Sequence, residues 1–115
     1  MSKNSSYIGF VWYYRHAIYY GEFVGGRKNG YGIEIDLENK GNFIWRGTFV
    51  NGKKTGYFQL TTPDMSYHGT VKNSFFDGEG LLKTAKSTYK GNFQGGMKHG
   101  YGVETFHQKN LVYKG

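Results

Sequence analysis

The residues of this chain that could carry acid–base chemistry are eight carboxylates and four histidines. The carboxylates are Glu22, Glu34, Asp36, Glu38, Asp64, Asp77, Glu79 and Glu104, and the histidines are His16, His68, His99 and His107. A two-carboxylate hydrolase needs its pair within about 5–10 Å. Glu34 and Glu104 stand at equivalent sites three repeats apart, which at about 10 Å per hairpin separates them by about 30 Å. The carboxylates are therefore expected to be solvated strand residues. No two histidines have metal-ligand spacing on one element, and no cysteine assists. His99 takes the place that Asn29 holds in the first repeat, which predicts a turn role. No Gly-x-Ser-x-Gly stretch offers an activated serine. The Gly-x-Gly stretches open strands, whereas a phosphate cradle needs a strand-to-helix turn. The expectation is no catalytic residue, no metal and no cofactor.

The basic residues are more regular. Arg27–Lys28, Lys53–Lys54 and Met97–Lys98 hold equivalent places, read as hairpin turns along one long edge. Phe75–Phe76–Asp77 interrupts that line. One reading is a solvated edge that blocks strand-to-strand aggregation. The other is a stripe, Arg27, Lys28, Lys53, Lys54 and Lys98, for acidic protein or anionic lipid, each cation contributing about 1 kcal/mol at a membrane surface. Basic residues interleaved with aromatics can also stack nucleic-acid bases. Here the rings recur where a sheet needs them for itself, so no nucleic acid is expected.

What positions these side chains is a repeat. YYGEFVGGRKNGYG at 19–32 returns as YKGNFQGGMKHGYG at 89–102. Degenerate copies begin at Trp45 and Tyr67, and Tyr113–Gly115 opens a further one. Residues 1–18 supply a partial unit whose strand lies at Tyr7–Tyr14. Four units follow, at 19–44, 45–66, 67–88 and 89–112, and 113–115 start a fifth. A period of 20–30 residues implies an array in which each unit buries its face against its neighbours. Tyr-x-Gly-x-Phe has period two, so Tyr19, Gly21 and Phe23 share one strand face. By the same spacing Trp45, Gly47 and Phe49, then Tyr67 and Gly69, then Tyr89, Gly91 and Phe93 continue a ladder. The glycine leaves a flat spot for a ring from a neighbouring strand. Gly25–Asn29 is predicted as the turn, with Gly30, Gly32 and Glu34 on one face of the return strand and Tyr31, Ile33 and Ile35 on the other. The connections are polar, and one holds the sole proline, Pro63.

Composition agrees with a thin β structure: 19% aromatic, 37% hydrophobic, 19 glycines and a net charge of +7. No cysteine and no visible leader point to an intracellular, cytoplasmic protein. The pattern Tyr-x-Gly-x-aromatic-x-x-Gly-x-x-x-Gly-x-Gly resembles the MORN (membrane occupation and recognition nexus) repeat. Unit 45–66 departs from it at Phe58, and unit 67–88 at Val71 and Ser74. The resemblance implies an all-β, elongated single-layer antiparallel sheet of successive hairpins. It also implies scaffolding or protein binding, in cytoskeletal, ciliary or membrane-associated assemblies. Two alternatives accompany it: phosphoinositide binding, and a regulatory module of a larger lipid kinase or methyltransferase. The apolar strand YIGFVWYY and the opening strand at 111–115 are expected as sheet edges capable of self-association.

Overall fold

The structure is a computed structural model that describes residues 6–14, 17–37, 42–108 and 111–115. His16, Glu38 and the connections at 38–41 and 109–110 lie outside the described residues. Ten strands run in chain order: β1 (Ser6–Tyr14), β2 (Ala17–Val24), β3 (Arg27–Asp36), β4 (Phe43–Val50), β5 (Lys53–Thr61), β6 (Met65–Lys72), β7 (Phe75–Thr84), β8 (Ser87–Gln94), β9 (Met97–Phe106) and β10 (Leu111–Lys114). They form one antiparallel sheet, each strand beside its sequence neighbours, with no crossover. The sheet measures 58 × 27 × 17 Å. The described residues contain no helix. β1 lies in the plane of the sheet and pairs with β2, Gly9 opposite Gly21.

Each hairpin closes on two residues: Gly25–Gly26, Asn51–Gly52, Asn73–Ser74 and Gly95–Gly96, all with positive φ. Two consecutive left-handed residues match the right-handed strand twist, and Gly and Asn tolerate them best. The turn is thus shorter than the Gly25–Asn29 stretch expected from sequence. Residues 27–29 already belong to β3, and His99 lies in β9 rather than in a turn. The positive φ that Asn29–Gly30 suggested is real at Gly30 (φ 105°), but it serves a bulge. Between the Gly21–Gly32 and Phe23–Lys28 pairs, β3 carries two residues more than β2. The insertion is even, so side-chain alternation is preserved across it.

The hairpins are clipped together at their turns. The N–H groups of Gly52, Ser74 and Gly96 donate to the carbonyls of Lys28, Lys54 and Phe76 in the preceding hairpin at 2.7, 3.0 and 2.9 Å. Beside them the N–H groups of Asn51, Asn73 and Gly95 donate to the side chains of Asn29, Thr55 and Asp77. At the opposite end, the hydroxyls of Thr62 and Thr84 cap the short connections by accepting from the backbone of Met65 and Ser87, both at 3.1 Å.

Candidate functional site

Alternation divides the sheet into a ladder face and an open face. Tyr19, Phe23, Trp45, Phe49, Tyr67, Tyr89 and Phe93 are buried in one cluster on the ladder face. Gly21, Gly47, Gly69 and Gly91 stand between them. Their role is close backbone approach: a Cβ on Gly21 would lie 2.6 Å from the Gly32 Cα and the Tyr31 carbonyl oxygen. A neighbouring strand's ring, that of Phe58, packs against the ladder glycine at Gly47; in the other three units the flat spot that a ring covers is the second glycine of Gly-x-Gly. The Tyr19 ring lies over Gly32, Tyr67 over Gly80 and Tyr89 over Gly102. Each hydroxyl then donates to a carbonyl three residues on, at Glu22 (2.9 Å), Thr70 (2.7 Å) and Asn92 (3.0 Å). Burial, with the Glu22 and Glu34 carboxylates nearby, pushes the Tyr19 phenol up to about 12.

The departures from the repeat compensate one another. Where Trp45 replaces tyrosine, Phe58 replaces the covered glycine and is fully buried. It meets Trp45 and Phe49 edge-on, at centroid distances of 6.2 and 5.1 Å. Where Val71 replaces phenylalanine, its cross-strand partner is Phe76, not lysine. Phe76 stacks on Tyr67 at 3.7 Å and meets Phe93 at 5.5 Å. Leu82 then stands where Glu34 and Glu104 stand in the first and last units, since no lysine there needs a carboxylate.

Glu34 corrects the expectation of solvated carboxylates. It is buried, and its two oxygens accept from Lys28 Nζ at 2.7 Å and Lys54 Nζ at 2.8 Å. Burial alone would raise its pKa; the lysine hydrogen bonds outweigh that and hold it below the ordinary value. Glu104 is also held low, by the Ser87 hydroxyl at 2.7 Å and by Lys98 at 2.9 Å. Lys28, Lys54 and Lys98 lay their ammonium groups over Tyr19, Trp45 and Tyr89 at 5.5, 5.1 and 5.2 Å from the ring centroids. The five cations read as one stripe are thus divided. Lys28, Lys54 and Lys98 face the ladder and pair with carboxylates, while Arg27 and Lys53 alternate to the other side.

The open face carries a second set of aromatics, of which the sequence reading placed only Tyr31 on a separate face, with Ile33 and Ile35. Tyr20, Tyr31, Tyr57 and Tyr101 are 46%, 56%, 57% and 62% exposed. A shallow groove of about 590 Å³ is lined by Tyr57, His68, Leu81, Lys90 and Tyr101 among others. A smaller one of about 190 Å³ lies beside Tyr20, Tyr31 and Ile33. Over β2–β9 this face presents Arg27, Arg46, Lys53, Lys72, Lys83 and Lys90 against Glu22, Asp77 and Glu79. Glu22 is already engaged, accepting from the Tyr31 N–H at 2.8 Å. The signal for this set was parity: a tyrosine between the glycines of Gly-x-Gly must face away from the ladder.

The MORN repeat model matches residues 19–36, 45–57, 67–87 and 89–110, together more than half of the chain. The chain belongs to the MORN repeat family. Each match begins at the aromatic third residue of a forward strand, Tyr19, Trp45, Tyr67 or Tyr89. No curated protein matches the chain. The MORN repeat is a non-catalytic module that commonly binds proteins or lipids, and here it builds the all-β sheet described above. No cluster of three or more potential metal-ligating side chains is present among the described residues.

Proposed function

We propose that this MORN-repeat chain is a non-catalytic interaction module that holds an acidic protein partner on its open face. The observation that carries this reading is the pairing of exposed tyrosines with surplus positive charge on the face whose backbone needs neither. The ladder face instead neutralises its own lysines with Glu34 and Glu104. Tyrosine supplies large contact area at low entropic cost and is enriched at the centres of interfaces. The same division weakens the lipid reading, because three of the five stripe cations already have carboxylate partners. Arg27 and Lys53 keep that reading testable. Scaffolding in a cytoskeletal or ciliary assembly, or service as the binding arm of a larger enzyme, would use the same face.

The test is selection of peptides from a random displayed library on the immobilised chain. The expected result is acidic peptides whose binding falls at least about tenfold on Tyr57→Ala/Tyr101→Ala, a loss reasonable for two interface aromatics. The substituted protein should keep its circular dichroism spectrum. Peptides indifferent to both substitutions would overturn the placement. Vesicle pelleting that needs acidic lipid and is lost near about 0.5 M salt would favour lipid instead.

A further inference from the structure

The open face has a period of its own. Register places Tyr20, Ile33, Arg46, Gln59, His68, Leu81, Lys90 and Val103 opposite one another from β2 to β9, so they form one file across the strands. Every second member of that file comes from a forward strand, and three successive ones are Arg46, His68 and Lys90. All three are exposed. Return strands supply a parallel file at the centres of their Gly-x-Gly stretches, or of Gly56-x-Phe58 in the second unit: Tyr31, Tyr57, Glu79 and Tyr101. Strands lie about 4.8 Å apart, so members of either set recur every 9–10 Å, roughly.

A ligand that engages several members must share this spacing. A polyproline II helix has three residues per turn and rises about 3.1 Å per residue, so every third residue returns to one side after about 9.3 Å. An extended strand presents the same side every 6.7 Å, roughly. An α-helix does so every turn of about 5.4 Å, or about 10.8 Å for two turns, and falls out of step sooner. Charge selects the sign: Arg46 and Lys90 flank the His68 ring, and the file contains no carboxylate. The aromatic file selects the rest. Tyr31 and Tyr57 are one such turn apart and Tyr57 and Tyr101 two turns, with Glu79 between them, leaving slots of the kind in which proline rings pack, as in other aromatic grooves that read this helix.

We propose that the open face is a docking site for a proline-rich acidic segment in the polyproline II conformation. It runs across the strands, with an acidic residue at every third position. Its acids follow Arg46, His68 and Lys90, and its prolines pack along Tyr57 and Tyr101. Glu79 stands in the aromatic file, where it meets the uncharged side of such a ligand. This inference rests on the proposed function of the open face and names the partner's chemistry.

The probes are fluorescein-labelled peptides of five repeats: (Glu-Pro-Pro), (Lys-Pro-Pro) and the flexible (Glu-Gly-Ser), titrated with the full chain in an anisotropy assay. The expected result is saturable binding of the first, none of the second, and binding of the third weaker by at least about tenfold, because a flexible chain must be ordered. Arg46→Glu/Lys90→Glu, both exposed, should abolish binding of (Glu-Pro-Pro) and confer binding of (Lys-Pro-Pro), with an unchanged circular dichroism spectrum. Equal binding of (Glu-Gly-Ser) would overturn the polyproline conformation while leaving an acidic partner on this face. Binding of (Glu-Pro-Pro) that ignores both Arg46→Glu/Lys90→Glu and Tyr57→Ala would overturn the open face as the site altogether. Displacement of (Glu-Pro-Pro) by a twelve-residue oligothymidine or by phosphatidylserine vesicles, at equal charge and with higher affinity, would overturn the protein partner in favour of that ligand.

Discussion

Glu34 holds together the first two hairpins from one atom pair: one oxygen takes Lys28 and the other takes Lys54. Its carboxyl lies below the ordinary value, so the folded state gives up this proton more readily than the unfolded chain. The stabilisation is therefore present in full above the ordinary carboxylate range and is lost as pH falls through that range and below it. Glu34→Gln should lower stability at pH 7 by about 1.5–3 kcal/mol, the loss of hydrogen bonds to charged groups. Thermal melts from pH 7 to pH 3 check it: the difference between the two proteins should shrink on acidification, and a constant difference would mean the carboxylate charge is not what matters. Little of this could be read from the sequence. Period two put Glu34 on one face of its strand with Gly30 and Gly32, but a carboxylate there looked solvated because single-strand spacing does not show Lys54 arriving from β5. Tyr19, Phe23, Phe49 and Phe93 were legible because their spacing within one strand already fixes their face.

At the scale of the hairpin, the third unit shows how the repeat tolerates change. Val71 and Phe76 are directly opposed, as are Phe49 and Lys54 or Phe93 and Lys98. The ring has crossed from the forward strand to the return strand, and the space is filled either way. Phe76→Lys alone should cost about 3 kcal/mol or more, since it empties the stack on Tyr67. Val71→Phe alone should cost about 1–3 kcal/mol by overpacking. Together they restore the Phe–Lys opposition of the neighbouring units, although Leu82 offers that lysine no carboxylate, so a denaturant-measured cycle should return a favourable coupling above about 1 kcal/mol. Simple additivity would show that the two sites do not share one volume. Alignment by position marked Val71 and Phe58 as departures because it scores one residue at a time, whereas packing conserves the pair. The same hairpin closes on Asn73–Ser74, and Ser74 holds φ 73° without being glycine. Ser74→Gly should therefore raise stability by about 1 kcal/mol. Its N–H still reaches the Lys54 carbonyl, so an unchanged melt would mean the left-handed serine carries no strain.

For the whole molecule, the shape follows from a connectivity in which the ladder hydrogen bonds of each strand run to its sequence neighbours. The radius of gyration is 16.2 Å, against about 13 Å for a compact globule of this length. The buried cluster of such an array is a ribbon along one face, so its stability is approximately a sum of local and nearest-neighbour contributions. Gly47 lies at the β4–β5 boundary, where a Cβ would stand 2.6 Å from both the Tyr57 carbonyl oxygen and the Phe58 ring. A backbone oxygen cannot turn aside as a flexible side chain can, so Gly47→Val must part the two strands, at about 1–3 kcal/mol or somewhat beyond. The effect should spread along the array rather than stay at the site. Amide hydrogen exchange should quicken in β4 and β5 first, and the melt should broaden or split as β1–β4 and β5–β10 lose their shared boundary. Gly115→Val provides the contrast, because the nearest atoms to its Cβ would be those of the Tyr113 side chain, from 3.2 Å, beside an edge strand. It should leave exchange in β2–β8 unchanged. If Gly47→Val instead lowers protection uniformly and keeps one sharp transition, the ten strands unfold as a single cooperative block, and the nearest-neighbour description does not hold for this sheet.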